Sequence, residues 1–190
     1  KSETAHEIEF GFDYVGSRFS IYPRAYYKEV TDFIQGIPVT DMLTNNFAQM
    51  MANMGMGAPD PLQFANVDAT YYGMDLEALY SINSQLDLRV VASAVRGQRD
   101  DISDDLYRIS PDNILLGLDY RQDDWTASFE AVTYADQNRV SRTNLEAQTD
   151  GYTVINVSGR WNISNTLELG AGINNLLDER YDDHLAGYNR

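Results

Sequence analysis

Hydrophobic and polar residues alternate along most of this 190-residue chain. Near its end, every second position is apolar (Leu167, Leu169, Ala171 and Ile173), and small or polar residues stand between them. Successive side chains of a β-strand point to opposite faces of a sheet, so this period of two predicts a strand with one apolar face. The pattern predicts eight strands, at about residues 4–14, 18–35, 64–81, 85–97, 113–122, 124–136, 151–162 and 166–174.

The connections between these strands alternate in length. Short turns are predicted near residues 15–17, 82–85, 122–124 and 163–165, and long polar connections at 36–63, 99–111 and 138–150. This alternation is typical of an up-and-down barrel in an outer membrane, and no apolar run approaches the ~18–20 residues of a membrane helix. The predicted fold class is all-β, with antiparallel up-and-down strands forming part of a large transmembrane β-barrel. The alternative is a soluble all-β binding module of the sandwich type.

Large aromatic residues stand beside the predicted short turns. Such rings favour the boundary between membrane and water, where one end of the side chain is apolar and the other is wet. Several predicted strands exceed the ~9–11 residues that cross a bilayer, so their outer ends are expected to project beyond it. The alternative is that these rings are ordinary core aromatics. The residues are Tyr14, Phe19, Tyr80, Tyr120, Trp125 and Trp161.

Composition excludes several classes of function. The formal net charge of −15 argues against nucleic acid as a partner, because phosphate binding needs a basic surface. The absence of cysteine excludes disulfides and thiolate metal sites. No Gly-x-Ser-x-Gly elbow, Gly-rich phosphate loop or His-Glu-x-x-His pattern occurs, so the sequence predicts that the chain is not an enzyme.

Charged residues occupy the side of the strands opposite the apolar stripe. We predict that they line a polar lumen and pair across strands, each pair contributing about 0.2–1 kcal/mol. The predicted lumen-lining residues are Asp75, Glu77, Asp87, Arg89, Asp119, Arg121, Glu130 and Arg160.

A methionine-rich connection is the most unusual feature of the sequence. Five of the six methionines lie between residues 41 and 61. Thioethers are soft ligands that suit Cu(I), so Met50, Met51, Met54 and Met56 are predicted metal ligands. The alternative is a short helix or an apolar plug over the barrel mouth, because methionine fills irregular gaps well.

Both histidines and one acidic run are weaker candidates. His184 stands beside two aspartates and is a candidate metal ligand, with a solvated loop residue as the alternative. His6 is expected on the polar face of the first strand, solvated or lining the lumen. The acidic run 99–105 offers oxygen ligands for Ca²⁺ but lacks the spacing of a known calcium loop, so a solvated charge run is expected.

Three segments resemble the C-terminal part of TonB-dependent outer-membrane receptors. "AYYKEVTDFI" (25–34) and "FANVDATYYGMDLEALYSI" (64–82) resemble strands that recur in that family. "GINNLLDERYDDHLAGYNR" (172–190) is more specific and resembles its Asn-Asn-Leu-apolar-Asp…Tyr pattern. The motif residues are Asn174, Asn175, Leu176, Asp178 and Tyr181.

The resemblance implies a particular architecture for the intact protein. Members of the family form 22-stranded barrels with a plugged lumen. Residues 1–190 would be a partial outer-membrane barrel domain, without the plug domain and the last strand. The resemblance implies location in the cell outer membrane, with membrane lipid around the barrel.

The resemblance also implies a function. The intact receptor would actively transport a metal or metal complex, either copper or an iron–siderophore, when the TonB complex pulls on the plug. No covalent cofactor is expected, and copper or an iron–siderophore would be a bound ligand. The methionine-rich loop fits a copper-type branch of the family, which "YDDHLAGYN" also resembles.

Overall fold

The computed structural model describes residues 1–56 and 61–186. Across these residues the described strands form one antiparallel sheet, in the order β1-β3-β4-β5-β7-β8-β9-β10, with the short β2 on β3 and the short β6 on β5. The strands are β1 Thr4–Gly11, β2 Tyr14–Val15, β3 Phe19–Pro38, β4 Leu62–Ser81, β5 Leu86–Arg99, β6 Asp104–Asp105, β7 Asn113–Gln122, β8 Trp125–Tyr134, β9 Tyr152–Ser164 and β10 Leu167–Ile173.

All eight predicted strands are present, with two local differences. The first predicted strand is divided, because pairing stops after Gly11 and resumes in β2. The second predicted strand is interrupted at Asp32, which has φ +59 and shifts the register between β3 and β4. The Asp32 backbone N–H donates to Asp68 Oδ1 at 3.0 Å, so a side chain replaces the lost strand partner.

The connection between β3 and β4 is shorter than predicted and contains a helix. β3 extends to Pro38 and β4 starts at Leu62, and α1 (Met42–Asn53) lies between them. Asp41 caps α1 by accepting a hydrogen bond from the Thr44 backbone N–H at 2.8 Å. None of the helices in the described part of the chain is long and apolar enough to cross a lipid bilayer.

The sheet has an apolar face and a polar face. Ile8, Phe10 and Met74 project from the apolar face with exposed fractions of 76%, 73% and 62%. The described strands belong to one sheet, and within residues 1–56 and 61–186 no second layer covers the face. The sandwich alternative is therefore wrong, because a sandwich buries its apolar faces between two sheets.

The aromatic residues beside the short turns all lie on the apolar face. Cross-strand pairing sets Phe19 opposite Tyr80, and Trp125 opposite Trp161. The Tyr120 and Trp125 rings contact each other across a turn, with centroids 5.1 Å apart. The rings therefore form a row along the end of the sheet that carries the short turns.

Candidate functional site

The strand register places all eight predicted lumen-lining residues on the polar face. Asp87 lies opposite Asp119, which lies opposite Ser128, and Thr126 lies opposite Arg160. Because side chains alternate along each strand, these positions share one side of the sheet. Their role in lining a lumen remains a prediction.

Arg89 is the centre of a charge network on the polar face. Its Nη2 lies 2.7 Å from Glu130 Oε1, and its Nε lies 3.5 Å from Asp119 Oδ2. To reach Glu130 two strands away, the guanidinium passes over Gly117, where an added Cβ would lie 3.1 Å from Nη2. Glycine therefore keeps open the path of the longest cross-strand contact in this network.

Neighbouring polar groups extend the network toward the short turns. Arg121 pairs with Asp87, and the Ser128 hydroxyl donates to Asp119 Oδ1 at 2.5 Å. Arg121 and Arg160 line an open concavity of about 600 Å³ on this face. Asp75 and Glu77 lie on the same face but form no ion pair with another described residue. The polar face thus presents both cationic and anionic groups to any molecule that contacts it.

The long connections lie at the opposite end of the sheet. We call their described residues the outer loops: 39–56 with 61, 100–112, 135–151 and 174–186. Three of them share a small core of buried residues, most of them polar, which we call the loop core. It comprises Asp104, Leu106, Val140, Ser141, Asn144, Glu146 and His184.

Asp104 joins two outer loops. Its carboxylate accepts hydrogen bonds from the backbone N–H groups of Arg142 and Thr143, both at 2.9 Å. Burial alone would raise the pKa of Asp104, but the hydrogen bonds from Thr143 and Arg142 outweigh it and lower the pKa to about 2. The expectation of a solvated charge run is wrong for Asp104, because this carboxylate replaces water with backbone donors.

Glu146 and His184 join the loop core to the last outer loop. His184 Nε2 lies 3.2 Å from Glu146 Oε1, and both side chains are only 1% exposed. His184 Nδ1 lies 3.1 Å from the Thr149 hydroxyl. The expectation that His184 is a solvated loop residue is therefore wrong.

The structure does not bring metal-binding groups together around His184. No cluster of three or more His, Cys, Asp or Glu side chains suited to a metal occurs within residues 1–56 and 61–186. His6 also differs from expectation, because it pairs with Glu29 and shares the apolar side of β1 with Ile8 and Phe10. The expected position of His6 on the polar face is wrong, because His6 is two residues before Ile8 in the strand and therefore lies on the same face.

The predicted methionine ligands lie at the end of α1 and just after it. Met50 and Met51 are in the last turns of the helix, and Met54 is its C-cap. The exposed fractions of Met50, Met54 and Met56 are 45%, 61% and 54%. The short helix considered as an alternative is present, and the role of these residues as ligands remains a prediction.

The Asn-Asn-Leu-apolar-Asp…Tyr motif shapes the chain after β10. Asn175 and Asp178 both have φ +52, a left-handed conformation that Asn and Asp adopt more readily than most residues. The Asn175 side chain both donates to and accepts from the Glu179 backbone, at 2.9 Å each. Leu176 N–H donates to the Ile155 carbonyl, and Asn174 lies exposed before it. Tyr181 stacks on the Tyr152 ring with centroids 4.0 Å apart.

The buried roles of Asp104 and Glu146 were not visible in the sequence. Both residues lie in polar stretches without hydrophobic periodicity, and such stretches are normally solvated. The contacts that bury them come from residues about 38 positions away in the chain. Only the folded positions of the loops reveal them.

A single-layer sheet of long antiparallel strands, with rings at one end and long loops at the other, defines the wall of an outer-membrane β-barrel. The sequence matches the family of TonB dependent receptor-like β-barrels over residues 1–176. The chain belongs to this family, which confirms the resemblance and the predicted fold class. No curated protein sequence matches the chain.

Solved structures agree with this assignment. The copper transporter OprC is similar over 97% of this chain and 27% of its own, with 26% identity and a TM-score of 0.83. The FrpB iron transporter from Neisseria meningitidis has 16% identity and a TM-score of 0.72, over 100% of this chain and 28% of its own. The ferric yersiniabactin uptake receptor FyuA from Yersinia pestis has 13% identity and a TM-score of 0.68, over 94% and 26%. The chain therefore spans about a quarter of the length of these proteins.

Proposed function

We propose that this chain is the C-terminal barrel portion of an outer-membrane receptor that imports copper. The TonB complex would drive transport through a plug domain, and the apolar face would contact membrane lipid. The observation that supports this proposal is the placement of four exposed or half-buried thioethers at one end of α1. Transport of this kind requires no chemical reaction by the chain.

The helix brings three of these thioethers to one face. Met50 and Met54 are four positions apart, and Met51 and Met54 are three apart, so each pair of side chains is adjacent on the helix surface. Gly55 then turns the chain with φ +74, and Met56 N–H donates to the Met51 carbonyl at 2.9 Å. The fourth methionine therefore returns toward the other three.

The chemistry of this end of α1 suits a soft cation. Thioethers are neutral and polarizable, and they select Cu(I) over hard cations. The C-terminal end of a helix has partial negative charge, which favours a bound cation, and no basic residue in the last turn of α1 opposes it. The net charge of −15 also raises the local concentration of cations around the chain.

The similar structures support transport without fixing the ligand. OprC is a copper transporter, whereas FrpB transports iron and FyuA takes up ferric yersiniabactin. An iron–siderophore is therefore the second candidate ligand. The methionine cluster favours copper, because iron–siderophores are bound through the organic siderophore and do not need thioether ligands.

Replacing the cluster in the full-length receptor tests the proposal. The variant M50L/M51L/M54L/M56L keeps the volume and apolar character of each side chain but removes every thioether. We expect its Cu(I) affinity, measured by competition with a chromophoric Cu(I) chelator, to fall at least about tenfold, because soft-ligand coordination is lost. Copper accumulation in cells, measured by elemental mass spectrometry, should fall in parallel.

Met74 provides a matched control. It lies outside the cluster and outside α1, and it is exposed on the apolar face of β4. M74L should bind and accumulate copper like the unaltered receptor. Unchanged Cu(I) affinity and uptake in the four-residue variant would refute the copper proposal and leave the iron–siderophore candidate.

A further inference from the structure

The segment after β10, residues 174–186, lies back against the sheet, and we call it the strap. The Asn175 N–H donates to Asn156 Oδ1 at 3.0 Å, and the Leu176 N–H donates to the Ile155 carbonyl at 2.7 Å. These bonds attach the base of the strap to β9. The strap therefore begins as a continuation of the sheet.

An aromatic stack is the first anchor of the strap. Tyr181 stacks on Tyr152 at a centroid distance of 4.0 Å, and Tyr152 stacks on Tyr134 at 4.9 Å. Tyr134 and Tyr152 are cross-strand partners, and they share the face of Glu130 and Asn156 because each lies four residues from one of these in its strand. The stack thus places the strap over the outer end of the polar face.

A buried side-chain contact is the second anchor. His184 lies 3.2 Å from Glu146, and Glu146 also accepts hydrogen bonds from the backbone N–H groups of Arg108 at 2.8 Å and Ser141 at 2.7 Å. One carboxylate therefore connects three outer loops. Of the three residues that contact the Glu146 carboxylate, only His184 belongs to the strap.

We propose that the His184–Glu146 contact is a latch that holds the strap across the polar face, and that its release opens this face to solutes from outside the cell. The inference depends on the proposed membrane orientation of the barrel but not on copper as the ligand. Asn175 and Asp178, both left-handed, lie at the base of the strap where a hinge is needed. Most of the strap surface is exposed, with Leu177 at 65% and Leu185 at 46%, so few contacts besides the two anchors oppose its release.

The latch can be removed without dismantling the loop core. When His184 is replaced, Glu146 keeps its two backbone donors and stays satisfied. Replacing Glu146 would instead leave both donors unpaired in the interior, which disrupts the other loops as well. His184 is therefore the residue whose substitution acts on the strap alone.

The experiment measures access to the polar face in the full-length receptor in intact cells. Val132 is two residues from Tyr134 on the same face of β8 and pairs with Val154, so V132C places a reporter thiol just below the stack. The 190 residues contain no cysteine that would compete within this segment. The rate of labelling by a membrane-impermeant maleimide is the readout, and no metal is added.

We expect H184A to raise the labelling rate about tenfold, because losing the buried contact with Glu146 and the hydrogen bond with Thr149 shifts the opening equilibrium of the strap by about that factor. H184Q retains a donor for Glu146 and should restore much of the slow labelling. H6A is the matched control, because His6 is exposed on β1 outside the loop core. It should label like the receptor that carries V132C alone.

Y181A removes the other anchor and should also speed labelling, which covers the case in which H184A does not assemble. Assembly of each variant is checked by heat-modifiable mobility on detergent gels. Equal labelling in H184A, Y181A and the V132C parent, or an equal rise in H6A, would overturn the latch. Copper results from the methionine variants have no bearing on this outcome, so the two proposals fail separately.

Discussion

The strands and the outer loops of this chain are stabilised in opposite ways. The strands leave their apolar face exposed, and the few buried hydrophobic residues along them are Val30, Val67 and Ala69. The outer loops, which have little regular structure, contain most of the buried polar side chains, including Asp104, Ser141 and Glu146. The strands thus bury few side chains, whereas the outer loops form a small buried core of their own.

The difference fits the proposed position of the barrel in an outer membrane. Strands of a barrel wall contact lipid, so an apolar face needs no protein layer above it. Loops outside the membrane are surrounded by water, and their backbone groups must find partners within the protein or in solvent. Here carboxylates provide these partners, because Asp104 and Glu146 accept hydrogen bonds from four backbone N–H groups, three of which belong to a different loop.

A charge on the apolar face should produce the largest effect. Leu116 is 44% exposed on that face of β7, and Leu115 beside it points to the polar face. L116R should cost about 2–4 kcal/mol of unfolding free energy, the cost of arginine at the middle of a barrel's lipid face. L115R should cost less, because its direct strand partners are Val91 and Val132 but the same face carries Glu130, which can pair with the added charge.

The measurement is urea unfolding of the full-length receptor in phospholipid vesicles. The two variants make the same substitution at adjacent positions, so only the face differs. Equal destabilisation by L115R and L116R would contradict the assignment of the two faces.

Acidification should destabilise the loop core by less than L116R destabilises the barrel. The folded pKa of Asp104 is about 2 and its ordinary value is 3.8. Because the folded value is lower, Asp104 stabilises the loops fully above the ordinary value, and this contribution of about 2 kcal/mol is lost as the pH falls through about 2. Pepsin cleavage within residues 135–151 should therefore accelerate between about pH 4 and pH 2.

D104N provides the control for this pH dependence. It removes the titrating group, so cleavage should already be fast at about pH 4 and should change less on acidification. A D104N receptor with the same pH profile as the unaltered one would show that another group controls the loops.

The smallest expected effect concerns the capping of α1. Hydrogen bonds from the Thr44 side chain and backbone lower the pKa of Asp41, so the ionised carboxylate is the form that caps the helix. D41A should speed hydrogen exchange of the α1 amides and weaken Cu(I) binding less than the four-methionine variant does. D41N keeps a hydrogen-bond acceptor, so its α1 amides should exchange at rates close to those of the unaltered receptor. Exchange rates in D41A that equal those of the unaltered receptor would show that the cap is unimportant.

Strand positions and faces were predictable because they depend on local periodicity. Leu86, Leu88 and Val90 alternate with charged residues, and any sheet that places one face in lipid must orient them together. The burial of His184 was not predictable in the same way. Its partners Glu146 and Thr149 are more than 30 residues distant, and nothing local distinguishes it from a solvated loop histidine.

The sequence by itself determined the strands, their order, the division into an apolar and a polar face, and the methionine-rich connection. These features depend on side-chain type at a period of two or on composition within one segment. The tertiary structure alone decided which loop residues are buried, where the strap lies and how Arg89 reaches Glu130. Those features depend on contacts between residues that are distant in the sequence, and no local pattern encodes such contacts.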